Sequence, residues 1–274
     1  MVSPLTVIAT IVVLGVIAAG ILATVVEFMV PDIHNRPNLW RSLEPPSLEH
    51  PMGTDPLGRD ILIRIIFGTK PVLLVIVISV IVAATLGTII GLASGYFGGR
   101  LDLILSRVID ALMSFPAILI ALAIVAALGP GLWKVAIAIG IAEASVFARL
   151  SRGLMIVEKE QLYVQAGKAI GASPTRIIFR HILPNIAGPI IVQATFTAAS
   201  AILWEAALSF LGLGAQPPTP SWGLMLYEAK DYMRVAPHAI VFPGLAIFVT
   251  VLSFNIVGEA LRDTLDPRFR KVMR

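Results

Sequence analysis

Two carboxylates stand where charge is costly. Glu143 interrupts an apolar stretch at 132–148, and Glu205 lies near the far end of another at 186–210. An ionisable side chain inside a membrane segment marks a functional position by default. Glu205 could line a polar pathway or accept an amine; the alternative is a pairing with a neighbouring helix or a place near the outer interface. Glu143 has the same two readings, and its position one turn from a polar segment favours the structural one. His34, His50, His181 and His238 do not have metal-ligand spacing, so no metal site is expected. Without cysteine the chain has no disulfide and no thiolate ligand. It also lacks a G-x-x-x-x-G-K-[ST] phosphate loop, so no ATPase site of its own is expected. No paired carboxylates, histidine cluster or nucleophile constellation points to an enzyme.

The elements around these residues are apolar. The 274 residues are 57% hydrophobic and 14% charged, with mean hydropathy +0.88, against roughly 25% charged in soluble domains. Uncharged runs at 1–26, 71–99, 111–133, 181–204 and 235–258 each exceed the roughly 20 residues that cross a bilayer. The chain reads as an all-α, polytopic membrane protein in a single domain, 1–274. Six spans are expected, at about 5–26, 72–94, 108–128 (with Pro116 inside), 132–148, 186–210 and 238–259. Between the first two lies a proline-rich segment, 27–70, whose end at 55–70 looks amphipathic and suited to an interface.

Placing the basic residues sets the orientation. With the amino terminus inside, Arg149, Arg152, Lys159, Lys168, Arg176 and Arg180 in the 149–185 loop face the cytoplasm. So do Arg262, Arg268, Arg270, Lys271 and Arg274 in the 261–274 tail. Segment 27–70 then lies outside, and both termini lie inside. The formal charge of +4 is accounted for by such loops, and nucleic acid is not an expected partner.

The 149–185 loop is the most structured polar part. Tyr163–Ile170 reads as helix and Gly171 as its stop. Ser173 is a natural cap with Pro174 in the next first turn. A second helix over about 174–182 follows, carrying Arg176 and Arg180. A helix–Gly–helix bracket of this kind is a lever that a partner could grip.

Gln165-Ala166-Gly167, then Gly171, then Leu183-Pro184 resembles the EAA loop of ATP-binding-cassette importer permeases. Gln165, Gly167 and His181 depart from that family's Glu, second Ala and Ile. Five further segments resemble the dipeptide and oligopeptide branch, which also includes nickel permeases: His50–Asp60, Gly95–Arg100, Phe179–Asn185, Leu208–Gly214 with Pro217–Gly223, and Leu261–Arg268. They cover the chain from about residue 50 to its end, in the family's order.

The resemblance implies a permease subunit in the cytoplasmic membrane of a prokaryote. It implies two separate ATPase subunits that bind ATP and Mg and pull on the bracket through Gln165, Ala166, Gly167, Gly171, Ser173, Pro174, Arg176, Arg180 and Pro184. A second homologous permease would complete the pore, and an extracytoplasmic solute-binding protein would deliver cargo to 27–70 and 215–237. Peptides are the expected cargo. Nickel chelates, glutathione or oligosaccharides would suit the same fold, and an ion-coupled secondary transporter is the rival from another class.

Overall fold

The computed structural model describes residues 3–30 and 32–265; the expectations placed on 266–274 lie outside the described residues. Among the described residues the chain is helical, with no β-strand beyond a single bridge between Thr54 and Asp60.

Helix α1, Pro4–Met29, starts where Ser3 Oγ accepts from the Thr6 amide at 3.2 Å and proline occupies the first turn. Only Ala9, Gly20 and Ala23 are buried along it. Its remaining apolar surface is suited to lipid rather than to a protein core.

Helix α2 is a single helix over Ile61–Phe97, 37 residues, capped by Asp60 Oδ1 accepting from Ile63 N at 2.9 Å. The stretch expected to lie at an interface therefore merges into the second span instead of forming its own helix. The charges that suggested an interface are neutralised in three dimensions: Arg64, 1% exposed, is buried against Asp55 and Glu228.

The third span differs more. Helices α3, Gly99–Met113, and α4, Ala117–Leu128, meet at 89°. Pro116 does not sit inside a helix but stands at the head of α4, with ψ of 126°. Proline disfavours helical geometry in the residue before it, so the chain breaks at Ser114–Phe115 rather than kinking. Arg152 clamps α3 to the next helix, α5, by donating Nε to Asp102 Oδ1 at 2.6 Å and Nη2 to Asp102 Oδ2 at 2.8 Å.

Helix α5, Leu132–Glu158, forms the central seam with α2. Gly87, Gly91 and Gly95 repeat at four-residue spacing on α2, and Gly140, Ala144 and Ala148 do so on α5. A Cβ on Gly87 or Gly91 would overlap the carbonyl oxygens of Ala144 and Ala148, and one on Gly140 would stand 2.6 Å from Val82. Small residues at this spacing let two helices in lipid approach to backbone contact, and Ser79 Oγ adds a donor to Ala136 O at 2.9 Å.

After a short helix α6, Leu162–Ala169, the chain runs as one continuous helical segment over Pro174–Phe210. This segment comprises α7, Pro174–Arg176, a π turn at Ile177–Ile182, and α8, Leu183–Phe210. The second helix of the bracket and the fifth span are thus one element. Helix α9, Trp222–Ala229, is short and buried, and α10, His238–Leu265, closes the bundle against α8 and α1.

Four of these helices are long and apolar enough to cross a membrane, and the bent pair α3–α4 makes a fifth. The remaining expected span, α5, is 27 residues long but carries Lys134, Glu143, Arg149 and Arg152. Its middle is shielded by protein, with Val135, Ile139 and Phe147 fully buried.

Candidate functional site

At one end of the bundle the polypeptide builds a bracket. Helix α6 ends at Gly171, whose φ is +78°. Gly171 N donates to Lys168 O and Ala172 N to Gly167 O, both at 3.0 Å, which closes the helix with a left-handed residue that glycine adopts without penalty. Two residues on, Ser173 Oγ accepts from Arg176 N at 3.4 Å and Pro174 occupies the first turn of the next helix. Beneath the bracket Val164, Ile177 and Ile182 are fully buried against Leu92 of α2 and Met155 of α5.

Polar ties fix the bracket to the bundle. Tyr163 Oη donates to Glu158 Oε1 at 2.6 Å and accepts from Asn185 Nδ2 at 3.0 Å, so one phenol joins the end of α5, α6 and the start of α8. Burial, then Glu158, pushes the Tyr163 hydroxyl pKa upward, which keeps it protonated as a donor. Lys159 Nζ donates to Gly95 O at 2.9 Å, placing a cation at the carbonyl end of α2.

Gln165 turns its amide to Glu160 O at 3.0 Å. Gly167 and His181, two of the three departures noted in this loop, face each other: the His181 ring lies 3.6 Å from where a Gly167 Cβ would be. Ala166 and Gln165 are exposed, as are Gly171, Pro174, Arg176 and Arg180. Neither arginine has an acidic partner among the described residues. Pro184 is in the first turn of α8, directly after the π turn. Such a turn distorts the helical ladder at the junction of bracket and span, a feature often found at functional positions.

The two membrane carboxylates have different surroundings. Glu205 has no exposed surface; its Oε1 accepts from Ser209 Oγ at 2.7 Å and Ser221 Oγ at 2.9 Å. It ties α8 to the turn that starts α9. Glu143 on α5 accepts from Thr197 Oγ1 of α8 at 3.1 Å, and Gln193 Nε2 reaches Thr197 Oγ1 at 3.4 Å. Gln193 in turn lines a cavity of about 640 Å³ between α5, α8 and α10, with Leu154, Asn185, Phe196 and Arg262. A polar line thus climbs from the bracket end into the bundle.

The opposite end is covered by a cap formed from residues 32–60. Asp55 accepts from Arg59 Nε at 2.6 Å and from Arg64; Arg59 Nη2 and Arg64 Nη1 each reach Glu228 Oε2 at 2.7 Å. Sharing two arginines between two carboxylates satisfies charges that would be costly alone in a buried site. His50 Nδ1 pairs with Asp60 Oδ2 at 2.7 Å, and Trp222 Nε1 donates to Ile65 O at 3.0 Å. Sequence reasoning missed this cluster because Glu228 lies far from Asp55 and Arg64 along the chain.

Apolar spanning helices, a bracket at one end and a hydrogen-bonded cap at the other describe a polytopic helical membrane protein. Residues 87–271 match the family model described as the binding-protein-dependent transport system inner membrane component. The glutathione transport system permease protein GsiD of Pectobacterium atrosepticum is 45% identical over 245 residues, covering 89% of this chain and 81% of that protein. The dipeptide transport system permease protein DppC of Alkalihalophilus pseudofirmus is 48% identical over 228 residues, covering 83% and 75%. Among solved structures, an inward-facing conformation of the MetNI methionine ABC transporter superposes with a TM-score of 0.60 at 17% identity, covering 74% of this chain and 96% of that one. The chain belongs to the binding-protein-dependent transport system inner membrane component family and is a permease subunit of an ABC importer.

Proposed function

We propose that this subunit imports short peptides and that its bracket transmits ATP-driven motion to the pathway. The observation that carries this reading is the unbroken helical segment Pro174–Phe210, which joins the bracket to a spanning helix. Force applied at Arg176 and Arg180 moves α8 as a whole, together with Glu205, Thr197 and Gln193 along it. ATP and Mg act in two partner ATPase subunits that grip Gln165–Arg180 and Pro184, and this chain contributes no ATP site. A second homologous permease completes the pore, with both termini and the bracket in the cytoplasm and the cap outside. The physical requirement is only that ATP and cargo bind the two conformations with different affinity.

Peptide cargo is supported by the dipeptide permease among the relatives, while the glutathione permease fits the alternative cargo. On this reading Glu143 and the cavity residues Gln193 and Asn185 lie beside the pathway, while Glu205 is a tie. Glutathione, nickel chelates and oligosaccharides are the competing cargoes. The test is ATP-dependent uptake of a labelled dipeptide into liposomes holding the complete complex and its solute-binding protein. Uptake that unlabelled di- and tripeptides suppress supports the reading; uptake suppressed only by glutathione, nickel chelate or an oligosaccharide reassigns the cargo.

A further inference from the structure

Two cavities meet where α1 and α2 leave the apolar layer. Residues 1–26 and 71–99 are uncharged, and each run ends at one half of the Glu27–Lys70 ion pair. That pair therefore marks the edge of the layer on the cap side. On its apolar side, Gly20, Ile21 and Thr24 of α1, Leu73 and Leu74 of α2 and Leu132 line a groove of about 400 Å³. On its polar side, Glu27, Asp32, His34 and Phe67 line a pocket of about 100 Å³. Lys70, Pro71 and Thr219 line both, so the two cavities are joined. From Glu27 to Gly20 the groove follows α1 for about 10 Å.

The polar pocket is not satisfied by the chain itself. His34 is 5% exposed and stacks on Phe67 with ring centroids 4.7 Å apart. Its Nδ1 is buried with no hydrogen-bond partner among the described residues, a state that calls for one from elsewhere. Burial lowers the pKa of this ring, although Glu27 and Asp32 oppose the shift. At neutral pH the imidazole is therefore uncharged and offers one N–H and one lone pair. Lys70 pairs with Glu27, while Asp32 has no cationic partner among the described residues. Two carboxylates and one ammonium leave the pocket with an excess negative charge.

A polar pocket at the membrane edge that opens into an apolar groove has the shape of a lipid: headgroup first, tail behind. We propose that the joined cavities bind one ethanolamine phospholipid from the leaflet on the cap side. Its primary ammonium donates to Asp32 and Glu27 and finds a further acceptor in the His34 ring. Lys70 has three N–H donors, so it can serve Glu27 and the lipid phosphate together, and one acyl chain occupies the groove. Charge-assisted bonds of this kind are the strong ones. An anionic headgroup would leave Asp32 uncompensated, and a choline headgroup has no N–H to donate. The lipid would fasten α1, in which only Ala9, Gly20 and Ala23 are buried, to α2 and to Thr219 in the loop before α9. This inference is independent of which cargo the subunit carries.

The test uses the complete complex in phosphatidylcholine nanodiscs holding a trace of phosphatidylethanolamine with a diazirine in its acyl chain. Labelled residues are located by peptide mass spectrometry. Labelling at Ile21, Leu73 and Leu132 is expected to be suppressed by unlabelled phosphatidylethanolamine, and about tenfold less effectively by phosphatidylglycerol. Leu14, exposed on α1 and outside the groove, reports bulk lipid and should show no headgroup preference. Asparagine tolerates the left-handed backbone of Asp32, with φ of 56°, so Asp32→Asn removes the charge and keeps the chain path. This variant should lose most of the preference with subunit composition unchanged. Thr24→Trp fills the groove without touching the pocket and should abolish labelling at Leu73. Equal suppression by both lipids in wild type overturns the proposal, as does an undiminished preference in Asp32→Asn or retained Leu73 labelling in Thr24→Trp. Labelling at Leu14 with none at Ile21 in wild type also overturns it, because another subunit would then cover the groove.

Discussion

Gly91 of α2 lies directly against the carbonyl oxygen of Ala148 on α5, with no room between them for a side chain. The two longest-packed helices of the bundle therefore touch at backbone level. Gly91→Leu is expected to cost about 1–3 kcal/mol or more by overpacking and to lower the thermal unfolding midpoint of the purified subunit in detergent. Gly15→Leu, with nothing within 4 Å of its Cβ position, should leave the midpoint unchanged.

At the cap, Arg64 serves two carboxylates at once. Arg64→Ala leaves Arg59 as the one remaining arginine for Asp55 and Glu228, and removing one partner of a buried ionic cluster costs up to about 3–5 kcal/mol. The cap should become sensitive to limited proteolysis between residues 36 and 60. Arg41→Ala, at a more exposed ion pair, should not produce that sensitivity.

Gly171 offers a cleaner separation of shape from packing. Its surroundings within this chain are open, so inside the subunit a substitution there acts through φ of +78°. Gly171→Val should strain the bracket by about 1–2 kcal/mol and lower cargo-stimulated ATP hydrolysis, whereas Gly171→Asn should be close to wild type. Equal loss in both variants would point to contact with a partner at that surface rather than to backbone geometry.

Tyr163 links three elements through its hydroxyl. Tyr163→Phe keeps the ring and removes both hydrogen bonds, worth about 1 kcal/mol each. Stimulated hydrolysis is expected to fall by up to about fivefold, with assembly unchanged by size-exclusion chromatography.

Much of this was legible before any coordinates. The bracket could be read because Gly171, Ser173 and Pro174 each carry a local backbone instruction that tertiary context does not override. The start of α2 could not, because Arg59, Asp60 and Arg64 look interfacial until Glu228 is placed beside them. The break before α4 was hidden because proline is tolerated within spanning helices; only the 89° bend shows that it separates two elements here. The α2–α5 seam was present in the sequence as small residues at 87, 91 and 95 and at 140, 144 and 148. Its meaning depends on two helices meeting in register, which spacing along one helix does not establish. The positions of Glu143 and Glu205 were legible in sequence, but their partners, Thr197 of α8 for Glu143 and Ser209 with Ser221 for Glu205, lie on turns and helices that only folding brings together.

The central claim is that ATP-driven motion enters through the bracket. Its most direct test is vanadate-sensitive ATP hydrolysis by the complete complex in lipid, with and without cargo-loaded binding protein. Wild type is compared with Arg176→Glu, Arg180→Glu, which reverses two exposed charges and leaves the bracket core untouched. Stimulation in wild type, lost in a variant that still assembles, is the predicted result. Full stimulation in the charge-reversed complex, or solute movement by this chain with no ATPase bound, would contradict it.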